Sequence, residues 1–219
     1  MPFVNSYIIK PITSTPTEVT VGTGTNNDPF YPMYFYYDYG YFAHIYLKSE
    51  LNLTSTVSIT GIRFQMICTD APQNSVNQTL KLGQVNKDEF FINVRNDMTQ
   101  SPLPTDAWIA NNITTVKSNF SWSFPSNISS SNPQWKEVTF DTPFSYNPND
   151  STYPNILVIW ENRDGSYTTG STSPAAKCFI PTNGAFRSYH DFQDYSMPLS
   201  TAYGTRDSTN TPNIQFVIN

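Results

Sequence analysis

The residues best suited to acid–base or nucleophilic chemistry in this sequence are two histidines and a few carboxylates. His190 is followed directly by Asp191, but neighbouring residues of a strand point to opposite faces, so this pair does not predict a Ser-His-Asp triad. His44 lies in a strand-like run without a carboxylate or cysteine spaced to assist it, which is typical of a structural histidine. No Gly-x-Ser-x-Gly nucleophile elbow is present.

A pair of carboxylates is the other catalytic arrangement to consider, since glycoside hydrolysis uses two of them. Glu137, Asp141 and Glu161 fall on or beside two strong strand-like segments. Acidic residues at such positions are usually solvated or salt-bridged, so we expect no enzymatic activity. The sequence also lacks a phosphate loop, a dinucleotide fingerprint and a metal-ligand cluster, so we expect no cofactor and no metal site.

The sequence favours ligand binding over catalysis, because aromatic residues are concentrated in one stretch. Residues 30–42 contain nine aromatic side chains. Tyrosine combines an apolar ring with a hydroxyl group, which suits stacking on a sugar or on a partner chain. We therefore predict Tyr36, Tyr37, Tyr39 and Trp122 as ligand-stacking residues. The alternative is that these rings cover one end of a hydrophobic core.

Composition narrows the range of partners. The net charge is -5 and there is no block of basic residues, so we expect no nucleic-acid binding. No apolar run approaches the roughly 20 residues that span a bilayer, so we expect no membrane insertion. Cys68 and Cys178 each lie in an apolar strand-like run, which favours two buried free thiols; a disulfide between the layers of the fold is the alternative.

Two segments dominate the structural prediction. Residues 135–146 alternate between polar and apolar side chains, as a half-buried strand does. Residues 156–160 are continuously apolar and too few for a buried helix, which predicts a central strand covered on both faces. Residues 55–68 form a third strand whose alternation changes phase at Thr60 and Gly61, which indicates a bulge.

Strand-like segments recur about every ten residues, with Asn, Pro and Gly between them, as in β-sandwiches and jelly rolls. One such turn, Asn183-Gly184, predicts a tight hairpin. We therefore predict an all-β protein with a single antiparallel, jelly-roll-like β-sandwich over residues 21–219. The prolines within residues 1–20 favour an extended N-terminal arm or edge segment.

Several phrases in a fixed order resemble those of a known kind of module. They are Val21-Gly-Thr-Gly-Thr, Tyr31-Pro32, Ile45-Tyr-Leu-Lys-Ser-Glu-Leu51, Ile59-Thr-Gly-Ile-Arg-Phe64, the segment 135–146, Asn155-Ile-Leu-Val-Ile-Trp-Glu-Asn162 and Pro212-Asn-Ile-Gln-Phe216. Together they resemble the jelly-roll-like modules of Bacteroidetes surface proteins and adhesins, and of phages that infect those bacteria. The resemblance covers roughly residues 20–219 and implies a sandwich used for binding or display rather than catalysis. The resemblance does not identify any functional residues in this sequence.

The resemblance leads to two expectations of function. The first is a virion structural or accessory protein, such as a capsid decoration, a head fibre or a tail component, located on the virion surface. Its partners would be other virion proteins, contacted through residues 1–20, and host surface glycan, in a homo-oligomer or a large assembly. The start of the chain lacks the features of a signal peptide, which fits this expectation if Met1 is native. The alternative is a secreted bacterial adhesin or carbohydrate-binding module at the cell surface.

Overall fold

The computed structural model describes residues 17–90, 110–167, 173–194 and 206–219. These residues form two antiparallel sheets that pack against each other, so the predicted all-β sandwich is confirmed. The predicted arm at residues 1–16 lies outside the described residues. The predicted boundary at residue 20 falls inside the first strand, which begins at Thr17.

The described residues contain thirteen strands, one helical turn and one 3-10 turn. The strands are β1 Thr17–Val21, β2 Asn26–Asp28, β3 Tyr39–Tyr46, β4 Val57–Ile67, β5 Gln73–Val85, β6 Ala110–Phe124, β7 Gln134–Tyr146, β8 Asn155–Asn162, β9 Ala175–Phe179, β10 Ser188–Gln193, β11 Arg206–Ser208, β12 Thr211–Pro212 and β13 Ile214–Ile218. The helical turn α1 is Lys48–Leu51, and the 3-10 turn is Thr182–Gly184.

The first sheet runs β1-β13-β4-β9-β12, with β7 paired to β4 and β2 paired to β9. The second sheet runs β11-β10-β3-β8-β5-β6. Strands that follow one another in sequence often lie in different sheets, as β7 and β8 do. The chain therefore crosses repeatedly between the two layers, and the main core lies between them.

The segments 135–146 and 156–160 lie in strands β7 and β8, as the sequence predicted. Every residue of β8 is buried, and β8 lies between β3 and β5. Its alternate residues Leu157 and Ile159 enter a second apolar cluster on the outer face of the sheet, together with Tyr189. A strand with apolar neighbours on both faces needs continuous apolar sequence, which is what β8 has.

The bulge predicted in β4 is also confirmed. The pairing of β4 with β7 shifts register between Ile59 and Gly61. A Cβ on Gly61 would lie 3.1 Å from the carbonyl oxygen of Val138, so glycine allows the close approach of β7 at this point.

The hairpin predicted at Asn183-Gly184 is wrong. The chain makes a 3-10 turn there, with Asn183 at a φ of 69°, and it leaves β9 in the first sheet to enter β10 in the second. The Asn-Gly pair supplies the left-handed backbone that a tight turn needs, but the turn follows Pro181 and connects two layers rather than two neighbouring strands.

Cys68 and Cys178 are free and buried, as the favoured alternative predicted. Burial raises the pKa of both thiols, well above its usual value for Cys178.

Candidate functional site

Three tyrosine side chains form an aromatic surface at one end of the sandwich. Tyr36 and Tyr167 are 43% and 60% exposed, and Tyr37 lies between Tyr36 and the core. The ring centroids of Tyr36 and Tyr37 are 5.5 Å apart, and those of Tyr36 and Tyr167 are 6.1 Å apart. We call these three residues the tyrosine surface. It brings together two of the four residues predicted from the sequence and one that was not predicted.

The tyrosine surface rests on further rings beneath it. Tyr37 packs on Phe192 with ring centroids 4.2 Å apart, and the buried Tyr34 contacts Tyr36 at 5.9 Å. Phe192 stacks on His190 at 5.4 Å, which continues the ring packing into the core. Tyr36 and Tyr37 are therefore supported from below by packed rings, which reduces the side-chain freedom that they lose when a ligand binds.

Backbone contacts fix the loop that carries these tyrosines. The Asn162 Nδ2 group at the end of β8 donates to the Tyr37 carbonyl oxygen at 3.0 Å. The Gly165 N–H donates to the Asp38 carbonyl oxygen at 3.0 Å, and Gly165 has a φ of 72°, where glycine is favoured. These bonds join the loop before β3 to the turn after β8, which places Tyr167 beside Tyr36.

Three carboxylates lie close to the tyrosine surface. Burial raises the pKa of Asp38, and the negative charges of Asp194 and Asp164 raise it further. The Tyr167 N–H donates a hydrogen bond to the Asp38 carboxylate. The Asp38 Oδ1 atom is buried, and it has no hydrogen-bond partner among the described residues. The site therefore combines apolar rings with a local excess of negative charge.

The other two predicted residues are not part of the exposed tyrosine surface. Tyr39 is half-buried at the start of β3. Trp122 is only 4% exposed, and its ring packs on Trp160 at 4.6 Å, so it cannot stack on a ligand. Its burial has a simple cause, since Phe120, Trp122 and Phe124 share the face of β6 that points into the core. The alternation of Phe120, Trp122 and Phe124 along β6 is therefore a core pattern.

Tyr167 was missed because it stands alone in a polar loop. Its only signal is its position two residues after Gly165, in a turn whose direction the sequence does not specify. Most of the other aromatic residues in the run 30–42 support the alternative that they cover the core: Tyr31, Tyr34, Phe35 and Phe42 are buried.

The residues considered for catalysis are occupied in other ways. Glu137 pairs with Arg63 at 2.8 Å and Asp141 with Lys117 at 2.9 Å. Glu161 pairs with Lys81 at 2.5 Å and also with the Arg163 guanidinium. Each of these three carboxylates is therefore paired with at least one cationic side chain.

The histidines belong to the core. Burial lowers the pKa of His44 to about 3, so it is a neutral imidazole; its Nδ1 lies 2.9 Å from the Ser188 hydroxyl. His190 lies 2.9 Å from the Tyr31 hydroxyl, between the two sheets. Asp191 follows it in β10 but points to the opposite face of the strand, as the sequence predicted.

The parts of the chain that the structure describes hold no group of three or more His, Cys, Asp or Glu side chains arranged to bind a metal ion. They also contain no helix long and apolar enough to cross a bilayer. No protein-family model, no curated protein and no solved structure matches this chain.

Proposed function

We propose that this protein is a non-enzymatic β-sandwich displayed on the surface of a virus particle, and that its tyrosine surface binds carbohydrate. The observation that carries the binding part of the proposal is the exposure of Tyr36 and Tyr167 at 43% and 60%, with their ring centroids 6.1 Å apart. Large rings that remain exposed side by side in a folded protein favour a binding role.

The chemistry of a sugar suits this surface. One face of a pyranose ring carries mainly C–H groups, and it stacks on an aromatic ring of similar size, while its hydroxyl groups bond to nearby polar atoms. The tyrosine surface offers rings for the first contact and the Asp38, Asp164 and Asp194 carboxylates for the second. Phe192 packs against Tyr37 and so holds this part of the surface in place before the ligand arrives.

Two observations support display on a particle. The ordered phrases of the sequence resemble those of phage modules. Strand β1 pairs only with β13 among the described strands, so its other edge is open to the addition of a strand. Residues 1–16 directly precede this edge, and we propose that they contact other virion proteins there. A cell-surface adhesin is the second candidate, and the tyrosine surface would serve it equally well.

A glycan array with the purified protein tests the binding part. We expect a defined set of glycans to bind, and the substitutions Tyr36→Ala and Tyr167→Ala each to weaken binding about tenfold. Ile180→Ala is the matched control, because Ile180 is 57% exposed but lies outside the tyrosine surface. Absence of any bound glycan, or binding unchanged by both tyrosine substitutions, would contradict the proposal.

Particle incorporation tests the display part. We expect a chain lacking residues 1–16 to fold, with an unchanged thermal transition, but to be missing from purified particles. Normal incorporation of the shortened chain would contradict a docking role for this segment, while glycan binding could still be observed. The two parts of the proposal are thus tested separately.

A further inference from the structure

The charge around the tyrosine surface narrows the class of ligand. Asp164 precedes Gly165, whose N–H donates to the Asp38 carbonyl oxygen, and Asp194 follows Gln193, which pairs with Tyr39. Both carboxylates therefore lie near Asp38, and their negative charges raise its pKa. Among the ion pairs of the described residues, none involves any of these three carboxylates. The exposed rings are therefore bordered by negative charge that the described part of the protein does not balance.

The nearest basic residue in sequence does not supply the missing charge. Arg163 precedes Asp164, but its guanidinium group donates to Glu161 through Nε at 3.0 Å and Nη2 at 2.9 Å. Asp164 instead accepts two neutral hydrogen bonds, from the Ser75 hydroxyl at 2.7 Å and from the Val76 N–H at 3.1 Å. These bonds hold the Asp164 carboxylate in place and leave its charge uncompensated.

The Asp38 carboxylate is likewise held by a hydrogen bond and has no cationic partner among the described residues. Its carboxylate accepts the Tyr167 N–H, which ties it to the loop that carries an exposed ring. Its Oδ1 atom is buried without a hydrogen-bond partner in the described part of the chain. A buried carboxylate oxygen without a donor leaves the negative charge of Asp38 poorly compensated, and a cation brought to the neighbouring surface would be attracted to that charge.

Aromatic rings bordered by carboxylates are well suited to bind a positively charged ammonium group. The face of a tyrosine ring attracts an ammonium group through its quadrupole, and a nearby carboxylate forms a charge-assisted hydrogen bond with it. We propose that the tyrosine surface prefers sugars that carry a free amino group, so that the sugar ring stacks on Tyr36 or Tyr167 while its ammonium group lies among the three carboxylates. This proposal rests on the proposed function, since it names the kind of carbohydrate.

Titration calorimetry with two matched oligosaccharides tests the preference. The probes are a β-1,4-linked glucosamine hexamer and its fully N-acetylated counterpart, which has the same backbone but no positive charge. At pH 6 and 50 mM NaCl we expect the amine form to bind about tenfold more tightly. At 500 mM NaCl we expect this difference to shrink, because salt screens the charge contribution and leaves the stacking.

Two substitutions locate the effect on the named carboxylates. Asp38→Asn and Asp194→Asn remove one charge each with little change in shape, and each should reduce the preference for the amine form several-fold. Asp141→Asn is the matched control: it also removes one charge, but from β7, where the Asp141 side chain is 66% exposed and paired with Lys117. Thermal unfolding of each variant shows whether its fold is retained.

The outcomes separate this inference from the proposed function. Equal binding of both oligosaccharides, lost together in Tyr36→Ala, would overturn the preference for amines and leave carbohydrate binding in place. Failure of every glycan on the array would overturn both. Tyrosine-dependent binding of an oligolysine peptide, without binding of either oligosaccharide, would show that the surface recognises ammonium groups on protein, and would also overturn the inference.

Discussion

Replacing Asp191 with asparagine should stabilise the protein in a way that depends on pH. Asp191 lies on β10 opposite Tyr41 of β3, and its side chain is 2% exposed. Its Oδ1 atom has no hydrogen-bond partner among the described residues, although the Phe192 N–H donates to the carboxylate. Burial raises the pKa of Asp191 to about 7, so the folded protein holds this proton more tightly than the unfolded chain does.

The sign and size of the effect follow from this difference. Below the ordinary pKa of 3.8 the carboxyl group is neutral in both states and has no pH-dependent effect. As the pH rises from about 4 to about 7, the unfolded chain releases the proton first, so the free energy of unfolding falls. The difference between a pKa of 3.8 in the unfolded chain and about 7 in the folded protein corresponds to roughly 4 kcal/mol of unfolding free energy. Allowing for local relaxation around the charge, we expect the advantage of Asp191→Asn to grow by about 2 kcal/mol between pH 4 and pH 8.

Urea denaturation of both proteins at several values between pH 4 and pH 8 measures this difference. Asp141→Asn is the control, since the surface ion pair that it removes is expected to contribute less than about 1 kcal/mol. Parallel profiles of the free energy of unfolding for the wild type and Asp191→Asn would refute the reasoning. They would mean that the Asp191 carboxylate is already solvated or paired in the folded protein.

Three other predictions concern the core and the loops. Trp160→Phe should lower the free energy of unfolding by about 2–4 kcal/mol, because it leaves a cavity and removes the indole N–H that donates to the Gln78 Oε1 at 2.7 Å; urea denaturation measures this. Gly24→Ala should destabilise the protein by about 1–3 kcal/mol, because the added Cβ would lie 2.0 Å from a backbone oxygen of β9. Gly184→Asn is its control: Gly184 has a φ of 63° and open space around it, so this substitution should change the thermal transition little. The two cysteine thiols should react with a thiol reagent only after unfolding, because both are buried and burial raises the pKa of each; rapid labelling of the native protein would contradict this.

Much of the fold could be predicted from the sequence because the sheets impose simple periods. Strand β7 buries one face, so its residues alternate, while β8 is covered on both faces and is apolar throughout. The change of phase at Gly61 marked a register shift correctly, because an inserted residue moves every later side chain to the opposite face.

Connections between strands could not be predicted in the same way. The Asn183-Gly184 pair identified a turn but not its destination, since the local backbone conformation is compatible with either a hairpin or a crossing between sheets. Whether β10 pairs with β9 or with β3 depends on contacts between residues far apart in sequence, such as Tyr189 with Ala43. Such contacts leave no periodic signal.

The candidate site shows the same limit for individual residues. Tyr36 and Trp122 both looked suitable for stacking, yet Tyr36 is 43% exposed and Trp122 is 4% exposed. An aromatic residue is equally favourable in the core and on a binding surface, so residue type alone does not separate the two roles. Only the packing of the two sheets decides it, by enclosing one ring and leaving the other at the end of the sandwich.

Binding and stability should depend on different rings of the series that links the tyrosine surface to the core. Tyr36 contacts the more exposed Tyr167 on one side, and on the other side it joins a packed series of rings that passes through Tyr34 or Tyr37 and Phe192 to His190 in the core. Removing the exposed outer ring takes away little buried area, so Tyr36→Ala should weaken binding without large destabilisation. Removing Phe192, which is 9% exposed, should do the reverse: the fold is weakened, and binding falls only because the rings above it lose their support. The outer rings are thus the part of the series most open to change in ligand preference without loss of the fold.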